Sequence, residues 1–282
     1  MPKVKIVTDS AQDFPPELLE KEGISVVPLT VFFGDEAFLD GYEIRGKAFY
    51  DKLRTSPHHP HTSQPSPEAF RAKFDELTKD GSPVVAILLS QVLSGTYQSA
   101  VLARDMLPDR NIEIVNSKLA SCAYGVLARL AAEMADKGAG PSEIVSKVTE
   151  MAERTVTVFS VDTLDYLAKN GRIGKAQHFL GGLLNLKPIL SLDKDGYVTA
   201  IERVRGKGKV LSRVMEILAE RIPSKRLLAV SISHSDAPEE ALKVKEAIQS
   251  QYKLGRLYES EIGAIIGTHV GPGTICVQAI PE

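Results

Sequence analysis

Short β-rich runs alternate with helical segments along most of this 282-residue chain, and the alternation strongly limits its possible folds. Segments such as 96–107 and the Ala-rich stretch 118–136 have the apolar spacing of helices. Alternation of this kind predicts an α/β chain whose first sheet is mainly parallel. The runs with strand character are 3–9, 24–33, 83–90, 111–116, 155–161, 188–193, 197–204, 227–233, 256–262 and 274–280.

The pattern changes after residue 153, where residues 190–198 predict a β-hairpin closed by the Asp195-Gly196 turn. A chain of 282 residues is also close to the size limit of a single hydrophobic core. We therefore expect two domains. Residues 1–155 should form a three-layer α/β/α domain with a mainly parallel sheet, and residues 156–282 a smaller α/β domain with a mixed sheet, with a ligand between or beside them.

Composition excludes several classes of function. The net charge of −2 gives no electrostatic reason to expect nucleic acid or an anionic membrane as a partner. No apolar stretch reaches the length of about 18 residues that a membrane helix needs, and residues 1–30 lack signal-peptide features, so a cytoplasmic protein is expected. The only two cysteines, Cys122 and Cys276, lie in a helical and a strand pattern, which predicts buried free thiols.

Three distant segments, around Thr62, Ser94 and His269, are rich in neutral hydrogen-bonding groups and in Gly or Pro. Ser94 lies between a predicted strand and a predicted helix, so it either caps the helix or turns its hydroxyl toward a ligand. Gly95 would let a ligand approach the backbone at the positive end of that helix. Ser66 is expected to cap the helix that follows it, but capping does not explain the presence of Thr62. Together the segments predict an anion-binding pocket that lacks a strong positive charge.

Five motifs follow one another along the chain: His61-Thr62-Ser63-Gln64-Pro65-Ser66-Pro67, Ser94-Gly95-Thr96-Tyr97-Gln98-Ser99-Ala100, Asn170-Gly171-Arg172-Ile173, Lys187-Pro188-Ile189-Leu190 and His269-Val270-Gly271-Pro272-Gly273. Their order and spacing resemble the DegV family over residues 3 to about 280. The opening Lys5-Ile6-Val7-Thr8-Asp9-Ser10 also looks like the start of that family.

The resemblance implies a protein similar to the fatty-acid-binding subunit of the bacterial fatty acid kinase system. Thr62 and Ser94 would then hydrogen-bond the carboxylate of a long-chain fatty acid such as palmitate, and His269 would complete the network. An apolar slot would hold the acyl chain, and a separate kinase would make the acyl-phosphate, with a role in phospholipid metabolism as a further implication. Ser63, Gly95 and Asp9 are candidate supporting residues.

Two further features of the second half have alternative interpretations. Residues 179–184 could form a wall or lid over the acyl chain, or simply a core helix that ends at Gly181. The basic residues could form a solvated face or a docking face for the kinase subunit, with Arg172 and Arg205 as the expected partner contacts. The basic cluster comprises Arg172, Lys175, Lys187, Arg203, Arg205, Lys207 and Lys209.

Two other functions remain open from the sequence. Ser94 could be the nucleophile and His269 the base of an esterase or thioesterase, although Gly-x-Ser-x-Gly is absent and Asp9 is the one acid considered for orienting His269. The pocket could also bind another small anion, such as a sugar phosphate. No metal is expected, because His58, His59 and His61 lack a recognisable ligand set, and no cofactor is expected, because no nucleotide-binding glycine motif is present.

Overall fold

The computed structural model describes residues 2–180 and 186–282. Its strands are β1 (Lys5–Asp9), β2 (Ile24–Val27), β3 (Thr30–Phe33), β4 (Glu36–Leu39), β5 (His61–Ser63), β6 (Val84–Leu88), β7 (Ile112–Asn116), β8 (Val156–Ser160), β9 (Leu186–Leu192), β10 (Val198–Arg205), β11 (Arg226–His234), β12 (Lys253–Leu254), β13 (Leu257–Glu261) and β14 (Ile275–Pro281). Its α-helices are α1 (Pro16–Lys21), α2 (Gly46–Thr55), α3 (Pro67–Thr78), α4 (Thr96–Asp105), α5 (Cys122–Asp136), α6 (Pro141–Arg154), α7 (Asp165–Lys169), α8 (Val210–Arg221), α9 (Pro238–Gln251) and α10 (Ala264–Val270).

A four-stranded parallel sheet with the order β2-β1-β6-β7 forms the first half of the molecule. Alternate residues of its strands point to opposite faces. Val7 and Ala86 pack with α3 and α4 on one face, whereas Ile6 and Val85 pack with α5 on the other. This part of the chain is therefore a three-layer α/β/α arrangement, and the predicted parallel sheet is confirmed.

A mixed sheet with the order β10-β9-β8-β14-β11-β12 forms the second half, and β13 also pairs with β11. The predicted hairpin is confirmed as β9 and β10, where the N–H of Asp193 donates to the carbonyl of Tyr197 at 2.9 Å. One face of the sheet packs on α8 and α9 through residues such as Val158 and Val277. The other face carries Phe159, Leu190 and Cys276 and belongs to a separate apolar cluster with α7 and α10 residues.

Residues 24–33 were expected to form one strand but form two, and this is a correction to the sequence-based prediction. β2 belongs to the parallel sheet, whereas β3 joins a small antiparallel sheet with the order β4-β3-β5. Pro28 lies between the two strands and has no N–H to donate, which favours a break in strand pairing there. The small sheet matters for the site because β5 contains Thr62, which pairs with Val31.

The last strand of the parallel sheet ends at Asn116 and the mixed sheet begins at Val156. The domain boundary between residues 155 and 156 agrees with this arrangement of strands but stays a prediction. Both cysteines are buried and free, as expected. Among the described residues, no helix has the length and apolar character that would let it cross a membrane.

Candidate functional site

Thr62 and His269 lie 207 positions apart in sequence and meet in the structure. Thr62 is held in the short strand β5, and His269 lies in the last turn of α10. The Oγ1 atom of Thr62 is 3.1 Å from the Nε2 atom of His269, which is a hydrogen bond between half-buried side chains. The fold therefore brings into contact two of the three residues that were predicted to bind a carboxylate.

The imidazole of His269 is neutral near pH 7. Burial, together with the positive charge of Arg172, lowers the pKa of His269 to about 3. Its Nδ1 atom is buried and has no hydrogen-bond partner among the described residues. The neutral pair of hydroxyl and imidazole carries two donor hydrogens, and their mutual hydrogen bond uses one. Whichever tautomer is present, one donor is left for a ligand, either the Thr62 hydroxyl or the Nδ1–H of His269.

Ser94 precedes α4 but is not its N-cap residue, because that position is Gly95. The hydroxyl of Ser94 lies 2.9 Å from Oγ1 of Thr96 and accepts the backbone N–H of Thr96 at 3.3 Å. Both bonds join Ser94 to Thr96, two residues further along the chain, and the Ser94 side chain remains half-buried at the cavity surface. By contrast, Ser66 caps α3 as expected, accepting the N–H of Ala69 at 3.1 Å.

Thr62, Ser94 and His269 all line one cavity, which has an empty volume of about 830 Å³ that includes space open to solvent. Gln64 and Arg172 lie on the same cavity and add polar groups to it. The rest of the lining is mainly apolar, contributed by Leu29, Leu89, Leu93, Ala120, Phe159, Leu167, Leu192, Val198, Ile262, Ile265, Ile266, Val270 and Cys276. The described residues of the lining also include four buried polar ones: Ser121, Thr157, Thr274 and Gln278.

The cavity lies between the two halves of the chain. Phe159 and Cys276, which pair across β8 and β14, line it from one face of the mixed sheet. Ile265 and Val270 line it from α10, and Leu93 lines it from the loop before α4. A mainly apolar cavity that carries a few polar groups suits a ligand with a long apolar tail and a small polar head.

Gln64 is a cavity residue that the sequence analysis did not select, although it belongs to the same motif as Thr62. A Cβ atom on Gly95 would lie 2.9 Å from Nε2 of Gln64, so the glycine provides the room that this amide occupies. Gly95 was expected to admit a ligand to the backbone. In the structure, the side-chain amide of Gln64 lies where a side chain on Gly95 would begin.

Arg172 was predicted to contact a partner protein, and the structure places it on the cavity. Its Nε atom donates to the carbonyl of Leu93 at 3.2 Å, and its Nη1 atom donates to the carbonyl of Asn170 at 2.7 Å. These bonds hold a half-buried guanidinium near His269, whose pKa it lowers. The docking role of Arg172 stays a prediction. Because Arg172 lies on the cavity, we also expect it to affect a bound anion directly.

None of the three candidate supporting residues, Gly95, Asp9 and Ser63, is among the residues that line the cavity. Asp9 is buried and accepts hydrogen bonds from the N–H groups of Ala11 and Leu89, both at 3.0 Å, and from the hydroxyl of Tyr124 at 2.6 Å. Burial raises the pKa of Asp9 to about 6, although these hydrogen bonds oppose the shift. Ser63 is exposed, and its hydroxyl donates to the carbonyl of Gln64 at 3.2 Å.

Several cations of the basic cluster are paired with acids. The ion pairs join Lys175 to Asp193, Lys187 to Asp162 and Lys207 to Glu240, at 2.5, 2.8 and 3.1 Å. Arg205, the other predicted partner contact, is exposed at the end of β10.

The proposed lid was predicted over residues 179–184. Residues 181–184 lie outside the described residues, and Phe179 and Leu180 precede them.

The hydrogen bonds of the site do not form a hydrolytic triad among the described residues. Ser94 bonds Thr96 rather than His269, and within the described part of the chain the one side-chain partner of His269 is Thr62. The three hydrogen bonds of Asp9 go elsewhere, so Asp9 does not orient the imidazole. Within residues 2–180 and 186–282, no group of three or more His, Cys, Asp or Glu residues is arranged to hold a metal ion.

Comparison with known proteins points to a single family. The family model described as "Uncharacterised protein, DegV family" matches residues 3–282. A DegV domain-containing protein of Caldanaerobacter subterraneus subsp. tengcongensis is 39% identical, over 96% of each chain.

Solved structures of the same family share the whole fold. A DegV family protein from Thermus thermophilus, described by its fatty acid binding, superposes with a TM-score of 0.92 at 33% identity, covering 99% of this chain and 100% of that one. DegV from Bacillus subtilis, described as a fatty acid binding protein, gives a TM-score of 0.89 at 33% identity with the same coverage.

Proposed function

This chain belongs to the DegV family, and we propose that it binds a long-chain fatty acid and presents the carboxylate to a separate kinase. The single observation that carries the proposal is the cavity, whose mainly apolar lining includes the hydrogen-bonded pair of Thr62 and His269. The fatty acid binding described for its structural relatives supports the same ligand class.

The head of the ligand would be held by neutral donors. Thr62, Ser94 and His269 supply hydroxyl and imidazole groups, and the nearby guanidinium of Arg172 makes the local potential positive. Hydrogen bonds to an ionised acceptor are stronger than those between neutral groups. These hydrogen bonds would satisfy the bound carboxylate. A bidentate contact with an Arg side chain, which would occupy both carboxylate oxygens, would not be needed.

The tail of the ligand would supply most of the affinity. Each buried methylene contributes about 0.8 kcal/mol, so a chain of about sixteen carbons gives on the order of 10 kcal/mol before the costs of association. A small polar anion would gain nothing from the apolar wall formed by residues such as Phe159, Leu167 and Ile266. The cavity therefore favours a fatty acid over a sugar phosphate.

A kinase would act on the carboxylate oxygen that the protein leaves accessible. That oxygen would form a bond to the γ-phosphorus of ATP, ADP would leave, and the acyl-phosphate would remain. This chain has no glycine-rich nucleotide motif, so ATP would be bound by the partner. Arg205, which is exposed at the end of β10, is the proposed docking contact, together with Arg172 at the cavity.

Equilibrium dialysis with labelled hexadecanoic acid tests the binding step. We expect about one equivalent bound per chain, displaced by unlabelled hexadecanoic acid but not by butanoate or glucose 6-phosphate at the same concentration. Displacement by the short acid or by the sugar phosphate would show that the apolar tail is not recognised, and the proposal would then be wrong.

A further inference from the structure

Helix α10 is short, although several of its residues line the cavity. It spans Ala264–Val270, and it supplies His269 together with Ile265, Ile266 and Val270 of the cavity wall. Two turns of helix are not stable by themselves in water, because nucleation costs more than so few hydrogen bonds return. The position of His269 therefore depends on the contacts that hold this helix in place.

The start of α10 is held by side chains from the first fifty residues of the chain. The N–H of Gly263 donates to Oδ1 of Asp13 at 2.9 Å, and the N–H of Ala264 donates to Oδ1 of Asp40 at 3.0 Å. The hydroxyl of Tyr50 donates to the carbonyl of Ile262 at 2.7 Å. The N-cap residue, Gly263, has no side chain to cap the helix. Two carboxyl groups from distant loops therefore perform the capping that a local residue usually performs.

Asp13 also connects the start of α10 to the cavity wall. Its Oδ2 atom accepts a hydrogen bond from the hydroxyl of Ser121, and Ser121 lines the cavity. The backbone at both residues is strained, with φ of 67° at Asp13 and φ of 59° with ψ of −151° at Ser121. Non-glycine residues persist in such conformations only where surrounding contacts force them, and such strain clusters at functional sites.

The two carboxyl groups are costly to bury. Asp13 and Asp40 are 9% and 2% exposed, and neither forms an ion pair among the described residues. Burial, opposed by hydrogen bonds and assisted by the neighbouring carboxylates, raises the pKa of Asp13 to about 8 and that of Asp40 to about 7. An apolar packing of this interface would avoid that cost. Both carboxyl groups are therefore buried at a cost, and both accept backbone N–H groups at the start of α10.

We propose that Asp13 and Asp40 are positioning residues that fix the start of α10 and thereby set the position of His269 for carboxylate binding. This inference rests on the proposed function, since it assigns a second layer of residues to the same site. Neither carboxyl group would touch the ligand. Asp13 would act through the backbone of residue 263, and Asp40 would act through the backbone of residue 264.

Alanine and asparagine variants separate this role from simple stabilisation. Asp13→Ala and Asp40→Ala remove the acceptor and should each weaken hexadecanoic acid binding by about tenfold, the effect of one lost capping hydrogen bond. Asp13→Asn keeps an oxygen acceptor for Gly263 and should stay within about threefold of the wild type. Ser66→Ala is the matched control, because it removes the cap of α3, which lies off the cavity. It should lower the melting temperature without changing the affinity.

A double-mutant cycle tests whether Asp13 acts through His269. If it does, Asp13→Ala should have little further effect on affinity in a His269→Ala background, because the group that it positions is already absent. Effects that multiply in the double variant would overturn the proposal. An unchanged affinity of both Asp13→Ala and Asp40→Ala would also overturn it.

Hydrogen exchange of the unliganded protein gives a readout that does not depend on ligand binding. Asp40→Asn and Asp13→Asn should keep the amides of α10 protected, and the two alanine variants should increase exchange there more than in α3. Equal exchange of α10 in all variants would refute the anchoring role. A wild-type protein that binds no fatty acid would refute the proposed function instead, and the exchange data would still decide whether these carboxyl groups hold α10.

Discussion

Replacement of Thr62 by valine removes one hydroxyl from the site and changes little else. Valine has nearly the same shape and remains a good strand residue, so β5 and its pairing with β3 should be retained. The variant loses the hydrogen bond of 3.1 Å to Nε2 of His269. It also removes one of the donors available to the carboxylate.

The size of the effect follows from the charge of the ligand. A hydrogen bond to an ionised group contributes about 1.5–3 kcal/mol, so the Kd for hexadecanoic acid should rise by about 10-fold to 150-fold. The lower end applies if the imidazole of His269, freed from Thr62, turns its own N–H toward the carboxylate. Hexadecan-1-ol carries the same tail without the charge, and its Kd should rise by no more than about fivefold.

Isothermal titration calorimetry of the two ligands gives both values. Thr62→Ser is the matched control, because it restores the hydroxyl and should bring the affinity for the acid to within about threefold of the wild type. Two results would refute the reasoning. One is an unchanged affinity of Thr62→Val for the acid, and the other is an equal loss of affinity for the acid and the alcohol.

Three further predictions concern ionisation, space and the acyl slot. Asp9, Asp13 and Asp40 have folded-state pKa values raised to about 6, 8 and 7 from 3.8, so the stability that they contribute is complete below about pH 4 and is lost as the pH rises through 6 to 8. The melting temperature should accordingly be lower at pH 8.5 than at pH 5.5, and Asp13→Asn should reduce the difference; a rise in melting temperature over this interval would contradict the assignment. Gly95→Ala would place a Cβ atom 2.9 Å from the Gln64 amide, so it should weaken acid binding severalfold with little change in melting temperature, and calorimetry with thermal unfolding distinguishes this from general destabilisation. In a series of saturated acids, each added methylene should lower the Kd by about fourfold until the slot is filled, whereas a flat series would show that the tail does not enter the slot.

Elements specified by local patterns were predictable from the sequence. The hairpin of β9 and β10 has a turn sequence whose glycine, Gly196, adopts a φ of 91° that other residues rarely tolerate. Ser66 and Pro67 together mark the start of α3. The separation of β2 from β3 was missed, because apolar composition is continuous across Pro28 and only the choice of partner strand distinguishes the two halves.

The site was less accessible to sequence reasoning. Contact between Thr62 and His269 joins residues 207 positions apart, and the family resemblance suggested it where no local pattern could. Arg172 belongs to a basic cluster that resembles a solvated face, and only the fold shows that its guanidinium reaches the cavity. The burial of Asp13 and Asp40 could not be predicted, because isolated aspartates in loops are usually exposed.

The proposed function requires the cavity to hold one long-chain fatty acid. Native mass spectrometry of the purified protein, followed by denaturation and organic extraction, measures this directly. We expect a mass increment that matches a single acid of about fourteen to eighteen carbons, at close to one per chain, and the same acid in the extract. A protein that is purified without such a ligand and takes up no added hexadecanoic acid would contradict the proposed function.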